Sequence, residues 1–229
     1  MSLKSPAVVP RTVHLHPTAE LAPRVIAPDD PGQALALAQA LFEETPRMFN
    51  HHRGLWGYTG AAAIDGEPLT VQATGIGGPS AAVVVWELAA LGATRIVRVG
   101  ACAAARDEPE PGTLVVVEAA ICGDGASRAL GADGSVAPDA GLLEALRAAA
   151  PRAAVGAVLS RDLFYGDAVT DDPGVLGVDL ETAAVLAAAR ERGLAAAAVL
   201  ELGAQEGAAG EAAGRVAASA LAAAPVSRR

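Results

Sequence analysis

Aromatic side chains and lysine are scarce in this chain of 229 residues. Phe, Trp and Tyr together make up 3% of the sequence, and Lys4 is the only lysine among 17 basic residues. The hydrophobic fraction is nevertheless 52% and the mean hydropathy is +0.35, which excludes a disordered chain. With so few large rings, the core has to be built from small and branched side chains, and this requires close approach of the backbones.

Positive charge, cysteine and long apolar runs are also limited. The net charge is −9 at pH 7 and the arginines form no run or stripe, so no nucleic-acid partner is expected. Cys102 and Cys122 form no C-x-x-C pair, and the four histidines do not fall at zinc-ligand spacing. No uncharged apolar stretch reaches the roughly 18 residues of a membrane span. We therefore expect a cytoplasmic protein with buried cysteines, no metal and no membrane partner.

Short apolar runs with strand character alternate with helix-like segments along most of the chain. Strands are predicted at 24–27, 69–74, 96–100, 114–117, 154–160, 175–178 and 196–202, and helices at 32–44, from the turn at 75–80 through 91, 139–150, 181–192 and 211–224. Strands separated by helices form largely parallel sheets that are covered on both faces. The order therefore predicts an α/β fold with a mostly parallel, mixed central sheet flanked by helices. We expect one domain over residues 1–229, with residues 1–12 as a loose N-terminus.

Ligands of open parallel sheets bind beyond the carboxyl ends of the strands, so the turns at those ends are the candidate sites. The first such turn contains Asp29 and Asp30, which either cap the following helix or face a ligand. The turn at 75–80 reads Gly-Ile-Gly-Gly-Pro-Ser, and its spacing departs from the dinucleotide fingerprint G-x-G-x-x-G. A dinucleotide-binding fold is therefore disfavoured.

Two charged side chains lie in the other informative segments, Arg98 within a strand and Glu181 after one. Arg98 lies within an apolar strand, so it is predicted either to form an internal ion pair or to clamp a phosphate or carboxylate with its planar guanidinium. Glu181 lies at a junction between a strand and a helix. It is either an ordinary first-turn acid or, beside an anion clamp, an acceptor for the vicinal hydroxyls of a sugar. The residues alone leave these alternatives open.

Five segments together resemble the nucleoside phosphorylase family that contains the hexameric purine nucleoside phosphorylases and the uridine phosphorylases. They lie at 53–60, 75–80, 91–100, 160–165 and 177–181, and they read RGLWGYTG, GIGGPS, LGATRIVRVG, SRDLFY and GVDLE. Each segment alone is a weak signal, whereas all five in this order and at this spacing are specific. The resemblance runs from about His14 to Arg215, which is most of the chain.

The resemblance implies reversible phosphorolysis of a purine or pyrimidine nucleoside. In this reaction inorganic phosphate is the co-substrate and attacks C1′ of the ribose, and the base leaves. Catalysis then consists mainly of positioning an anion, a sugar and a leaving group, with no metal or other cofactor. By the same resemblance, Arg53 and Arg98 bind phosphate and Glu181 binds the ribose hydroxyls. Arg98 and Glu181 are therefore the predicted catalytic residues.

The remaining implied contacts concern the sugar, the base and a second subunit. Leu180 and His14 are expected at the ribose, and Phe164 and Asp179 at the base. The family also implies a homo-oligomer built from dimers and extending to hexamers. In such an assembly Arg53 and His14 would reach into the site of a neighbouring subunit.

Several site positions depart from the family pattern. In the first phosphate loop the family has a glycine and an arginine where this chain has Asp29 and Gln33, and a serine or threonine that binds phosphate is replaced by Ala101. A carboxylate in that loop repels phosphate unless it turns outward or is protonated. Gly203 and Ala204 occupy the places of a Ser-Asp pair whose aspartate protonates the leaving purine. Loss of a general acid typically costs about 100- to 10,000-fold in rate.

These departures leave three functional hypotheses. The chain is a nucleoside phosphorylase with altered phosphate or base recognition, a catalytically degenerate member that binds a nucleoside-like ligand or serves as a structural partner, or a phosphate-independent nucleosidase. The retained Arg53, Arg98 and Glu181 favour the first hypothesis. A nucleosidase explains the weakened phosphate loop but not the retained arginines.

Overall fold

The structure, a computed structural model, describes residues 12–106, 109–165, 170, 172–203 and 210–224. Apart from residue 12, the N-terminus that we expected to be loose lies outside these ranges. Within them the strands are β1 (Arg24–Ala27), β2 (Arg47–Asn50), β3 (Gly57–Ala61), β4 (Pro68–Gln72), β5 (Arg95–Ala104), β6 (Leu114–Cys122), β7 (Ser135–Val136), β8 (Ala154–Ser160), β9 (Val175–Asp179) and β10 (Ala195–Leu202). The helices are α1 (Pro31–Leu41), α2 (Gly78–Leu91), α3 (Gly125–Ala129), α4 (Ala140–Ala149), α5 (Thr182–Arg192) and α6 (Glu211–Ala223). None of these helices combines the length and the apolar character that crossing a bilayer requires.

The strands form one mixed sheet, which confirms the predicted fold class. Its order is β10-β6-β8-β9-β5-β1-β4-β3-β2, with β7 paired to β6. Strand β10 also pairs with β5, so β5, β10, β6, β8 and β9 close into a ring. The pairs β1–β4, β1–β5, β5–β10, β6–β8 and β8–β9 are parallel. The carboxyl ends of β1, β4, β5 and β10 therefore lie on the same side of the sheet.

Most predicted elements are present, and the largest differences have local causes. Helix α1 ends at Leu41 rather than at residue 44, because Phe42 forms a bridge with Ala62 and the amide of Glu43 donates to the carbonyl of Ala61. The sequence patterns missed β2, β3, β7 and α3, which are short. Strands β5 and β6 extend several residues beyond their predicted ends because each continues to pair with a neighbouring strand.

Small side chains let the helices on one face of the sheet approach closely. All residues from Thr182 to Ala189 of α5 are buried. A Cβ atom added to Gly78 of α2 would lie 3.0 Å from the Cβ of Ala126 and 3.1 Å from the Cβ of Ala184. The alanine-rich composition is thus used where α2, α3 and α5 meet, since larger side chains would separate these helices.

Both cysteines are buried and unpaired, as expected. Burial raises the pKa of the Cys102 thiol to about 12, with a smaller contribution from the nearby Asp179 carboxylate. A thiol with such a pKa carries almost no thiolate at neutral pH, so Cys102 is a packing residue rather than a nucleophile.

Candidate active site

A cavity of about 400 Å³ lies beside the carboxyl ends of β1 and β4. Its wall is formed by the turn after β1, the turn before α2, a short 3-10 turn at His52–Gly54 and Ala101 of β5. The polar side chains in this wall are those of Asp29, Asp30, Gln33, Arg53 and Ser80. The cavity therefore occupies the edge of the sheet at which the sequence placed the ligand.

The turn after β1 holds its two carboxylates in different roles. Asp30 caps α1, since its Oδ1 accepts the amide of Gln33 at 2.7 Å. Asp29 lines the cavity, and its Oδ1 accepts the amide of Asp30 at 2.9 Å. The carbonyl of Asp29 accepts the amide of Gly75 at 3.0 Å, which ties this turn to the turn before α2. The capping interpretation is thus correct for Asp30, whereas Asp29 faces the candidate ligand site.

Arg53 reaches the cavity from an unusual backbone conformation. Its φ of 59° and ψ of 20° lie in the left-handed region, and no other non-glycine among the described residues has a positive φ. Such a conformation costs on the order of 1–3 kcal/mol and often marks a functional constraint. Within the described part of the chain, no carboxylate lies within ion-pair distance of Arg53. In the single chain Arg53 thus lines its own cavity, and its approach to the site of a neighbouring subunit stays a prediction.

Arg98 is buried in the middle of the sheet, and small neighbours make room for it. It is 2% exposed and lies in register with Ala27 on β1 and with Ala198 on β10. Its guanidinium extends over Gly100, where an added Cβ would come 2.3 Å from Nη1. Glycine at this position and alanine on both adjacent strands therefore create the space for the guanidinium.

The guanidinium of Arg98 is held by two buried carboxylates. Its Nη2 lies 2.5 Å from Oε2 of Glu181 and 3.1 Å from Oδ2 of Asp179, and Nη1 donates to the carbonyl of Val99 at 3.2 Å. Burial by itself lowers the pKa of Arg98, but the carboxylates of Glu181, Asp179 and Asp29 outweigh this effect and raise it. The internal ion pair considered from the sequence is therefore present, and it keeps Arg98 charged.

Glu181 joins Arg98 to the turn before α2. It is 3% exposed, and its Oε1 accepts the amide of Gly77 at 2.7 Å. It makes no side-chain capping bond to α5, so it is not an ordinary first-turn acid. Burial raises the pKa of Glu181 against the lowering effect of Arg98, and the charges of Asp179 and Asp29 add to the increase. Because the pKa of Glu181 is higher in the folded than in the unfolded state, protonation of Glu181 favours folding. This contribution to the free energy of unfolding is lost as the pH rises through the folded-state pKa.

Asp179 is placed differently from the base-binding role that the resemblance implies. It is 5% exposed, and its Oδ1 accepts the hydroxyl of Ser160 at 2.5 Å. Its Oδ2 accepts the amide of Thr182 at 3.0 Å and also the Thr182 hydroxyl. With Arg98 as a further partner, the carboxylate is directed into the protein and positions the guanidinium. Sequence reasoning assigned no role to Ser160 and Thr182, although Ser160 begins one segment of the resemblance and Thr182 directly follows another.

His14 lies on the outer face of α2 rather than in the described wall of the cavity. Its Nδ1 lies 2.8 Å from Oε1 of Glu87, and the Glu87 carboxylate also accepts the amides of Val13, His14 and Leu15. This arrangement fixes the segment before β1 against α2. In the described part of the chain, no cluster of three or more His, Cys, Asp or Glu side chains could hold a metal ion.

Two further predicted contacts, Phe164 and Leu180, are not part of the described wall of the cavity. Phe164 is 55% exposed, and its ring meets the Tyr165 ring edge-on at 5.1 Å. Leu180, which separates Asp179 from Glu181 in the sequence, is half-buried. Gly203 follows β10 with a φ of 66°, a conformation that disfavours any side chain there. Ala204 lies outside the described residues.

Comparison with known proteins agrees with the resemblance to nucleoside phosphorylases. A family model described as the phosphorylase superfamily matches residues 23–225. Guanosine phosphorylase of Halorubrum lacusprofundi is 33% identical over 184 residues, which are 76% of this chain and 75% of that protein. The DeoD-type purine nucleoside phosphorylase of Geobacillus kaustophilus is 32% identical over 194 residues, covering 80% and 81% of the two chains. The protein of the same name from Bacillus cereus is 31% identical over 193 residues, covering 79% and 81%.

Proposed function

Because the chain belongs to the phosphorylase superfamily, we propose that it cleaves a purine nucleoside with inorganic phosphate, giving the free base and ribose 1-phosphate. A phosphate oxygen bonds to C1′ while the bond from C1′ to the base breaks, and the bonding electrons leave with the base. The names of the similar proteins support a purine rather than a pyrimidine. The observation that carries the proposal is the buried pair of Arg98 and Glu181 beside a cavity lined by Arg53.

The two substrates have complementary partners at this site. Phosphate binds between Arg53 and Arg98, because a guanidinium offers up to five N–H donors in a planar arrangement suited to phosphate. The ribose hydroxyls donate to Glu181, whose carboxylate is held by Arg98 and by the Gly77 amide. Leu180 packs against the sugar. Since Arg98 and Glu181 contact each other, bound phosphate and bound ribose fix one another's positions, which is the main source of catalysis in this reaction.

The proposed reaction is tested by measuring release of free base with and without phosphate. Guanosine, inosine and adenosine are expected to be cleaved only when phosphate is present. No acid occupies positions 203 and 204, so 7-methylguanosine is expected to react faster than guanosine, by about 100-fold or more. Its alkylated base leaves without needing a proton.

Two outcomes of this assay contradict the proposal. An unchanged rate after removal of phosphate would identify a nucleosidase. Absence of turnover, together with no change in melting temperature in millimolar nucleoside or phosphate, would exclude both enzymatic hypotheses. Uridine, assayed in parallel with the purine nucleosides, measures the preference for purines directly.

We also propose that the chain forms a homo-oligomer in which His14 approaches the ribose of a neighbouring subunit. His14 is fixed on α2 by Glu87 and lies outside the described wall of its own cavity. Val13, whose amide donates to Glu87, is 67% exposed, and Trp86, next to Glu87 in α2, is 41% exposed, so apolar surface is available to a second copy. Light scattering after size-exclusion chromatography is expected to give a mass of two or more chains, and a monomer at micromolar concentration would refute the proposal.

A further inference from the structure

The cavity proposed for phosphate is acidic for an anion site. Its wall contains the carboxylates of Asp29 and Asp30 and the guanidinium of Arg53. The second proposed phosphate ligand, Arg98, is already paired with the carboxylates of Glu181 and Asp179. Glu201 on β10 lies in register with Ala101, which is itself part of the wall. Ala101 supplies no hydrogen bond to an anion. The phosphate dianion would meet like charge in this cavity, and like charges brought together are strongly unfavourable.

The turn after β1 presents the Asp29 carboxylate to this cavity, and two of its amides donate to carboxylates within the turn. The amide of Asp30 donates to the Asp29 carboxylate at 2.9 Å, and the amide of Gln33 donates to Asp30 at 2.7 Å. Pro31, at the start of α1, has no N–H group. The amides of Asp30 and Gln33, which could otherwise bind an anion at the start of a helix, are therefore engaged within the turn. An ionised carboxylate can only accept a hydrogen bond, so a ligand oxygen placed against Asp29 has to carry a proton.

We propose that Asp29 makes the site selective for dihydrogen phosphate, the monoanion, by accepting a hydrogen bond from a P–OH group. The inference rests on the proposed phosphorolysis and specifies the form of the co-substrate. Arg53 and Arg98 bind the unprotonated oxygens, while the Asp29 oxygen that is not used by Asp30 receives the P–OH. Sulfate has the same shape but no proton at neutral pH, so it would place a bare oxygen against the carboxylate and is excluded.

Other charged groups around Asp29 do not replace this selectivity. Asp30 is used as the cap of α1, and Arg98 is held in its charged form by Glu181 and Asp179. Glu181 accepts hydrogen bonds from Arg98 and the Gly77 amide and is assigned to the ribose. Glu201 lies on β10 in register with Ala101 and is not part of the described wall. Phosphate itself loses its second proton near neutral pH, so the selectivity is measurable in that range.

The test compares the wild type with Asp29→Asn, which keeps an acceptor for the Asp30 amide and offers N–H donors to the ligand. The Michaelis constant for total phosphate is measured between pH 6 and 8.5, together with inhibition by sulfate. In the wild type this constant is expected to rise about tenfold for each pH unit above the second pKa of phosphate. In Asp29→Asn the rise is expected to flatten, and sulfate is expected to compete at least tenfold better.

Glu144→Gln is the matched control, because it removes one carboxylate from an exposed position on α4. It is expected to retain both wild-type properties. Asp29→Ala and thermal-shift titrations with phosphate and sulfate provide the same comparison without turnover. Equal pH dependence and equal sulfate inhibition in wild type and Asp29→Asn would overturn the inference while leaving phosphorolysis intact. Base release that is independent of phosphate in the wild type would instead refute the proposed function, and the inference with it.

Discussion

Replacement of Arg98 by alanine is expected to abolish phosphate-dependent release of the base and to lower the free energy of unfolding by about 3–5 kcal/mol. The substitution removes the proposed phosphate clamp. It also leaves the carboxylates of Asp179 and Glu181 buried without their common cation. Urea unfolding measures the second effect, and the phosphate dependence of rate and melting temperature measures the first.

Two further variants separate these effects. Arg98→Lys keeps the charge and is expected to fold, but it loses the planar donor pair, so the Michaelis constant for phosphate should rise about tenfold or more. Arg147→Ala is the control, because Arg147 pairs with Glu118 and Glu144 at the surface and should change stability by at most about 1 kcal/mol. A wild-type response to phosphate in folded Arg98→Lys and Arg98→Ala would show that Arg98 is only a structural cation.

The Glu181→Gln variant is expected to lower kcat/KM for ribonucleosides by about 10- to 100-fold for each ribose hydroxyl bond that is weakened. The neutral amide keeps the size of the side chain but loses the charge that strengthens these bonds. It also weakens the contact that aligns Arg98. Steady-state kinetics with guanosine and 2′-deoxyguanosine provide the measurement.

The comparison between the two sugars distinguishes a ribose contact from a structural role. If Glu181 accepts a ribose hydroxyl, the advantage of guanosine over 2′-deoxyguanosine shrinks in Glu181→Gln. A purely structural carboxylate would reduce both substrates by the same factor, and that result would refute the assignment. Glu118→Gln, at the exposed end of a surface ion pair, should leave both rates unchanged.

The predicted fold class and the order of the main elements are confirmed because they depend on local patterns. Apolar runs such as 154–160 report a buried strand wherever it is placed in the sheet, and the strand observed has these same bounds. The sequence pattern did not predict the short strands β2 and β3. Their pairing with each other and with β4, rather than any strong pattern of their own, holds them in the sheet.

The candidate site was predictable only in part. The sequence identified Asp29 and Glu181 at strand ends and Arg98 within a strand. Strand β1 is parallel to β5, but β9, which precedes Glu181, is antiparallel to β5, so the contact between Glu181 and Arg98 does not follow from parallel strand ends. The direction of each side chain was not available from the sequence. The inward orientation of Asp179 depends on Ser160 and Thr182, and the approach of Arg53 to its own cavity depends on a left-handed backbone that no pattern indicates.

The sequence by itself determined the α/β class, the family resemblance and the residues in which this chain departs from that family. Those properties are written in local order and spacing. Only the tertiary structure decided that Arg98 bonds to Glu181, 83 residues away, and that Asp29 engages the Asp30 amide while lining the cavity. These contacts depend on strand register and on backbone angles, and both are fixed by packing across the whole sheet rather than by any one segment.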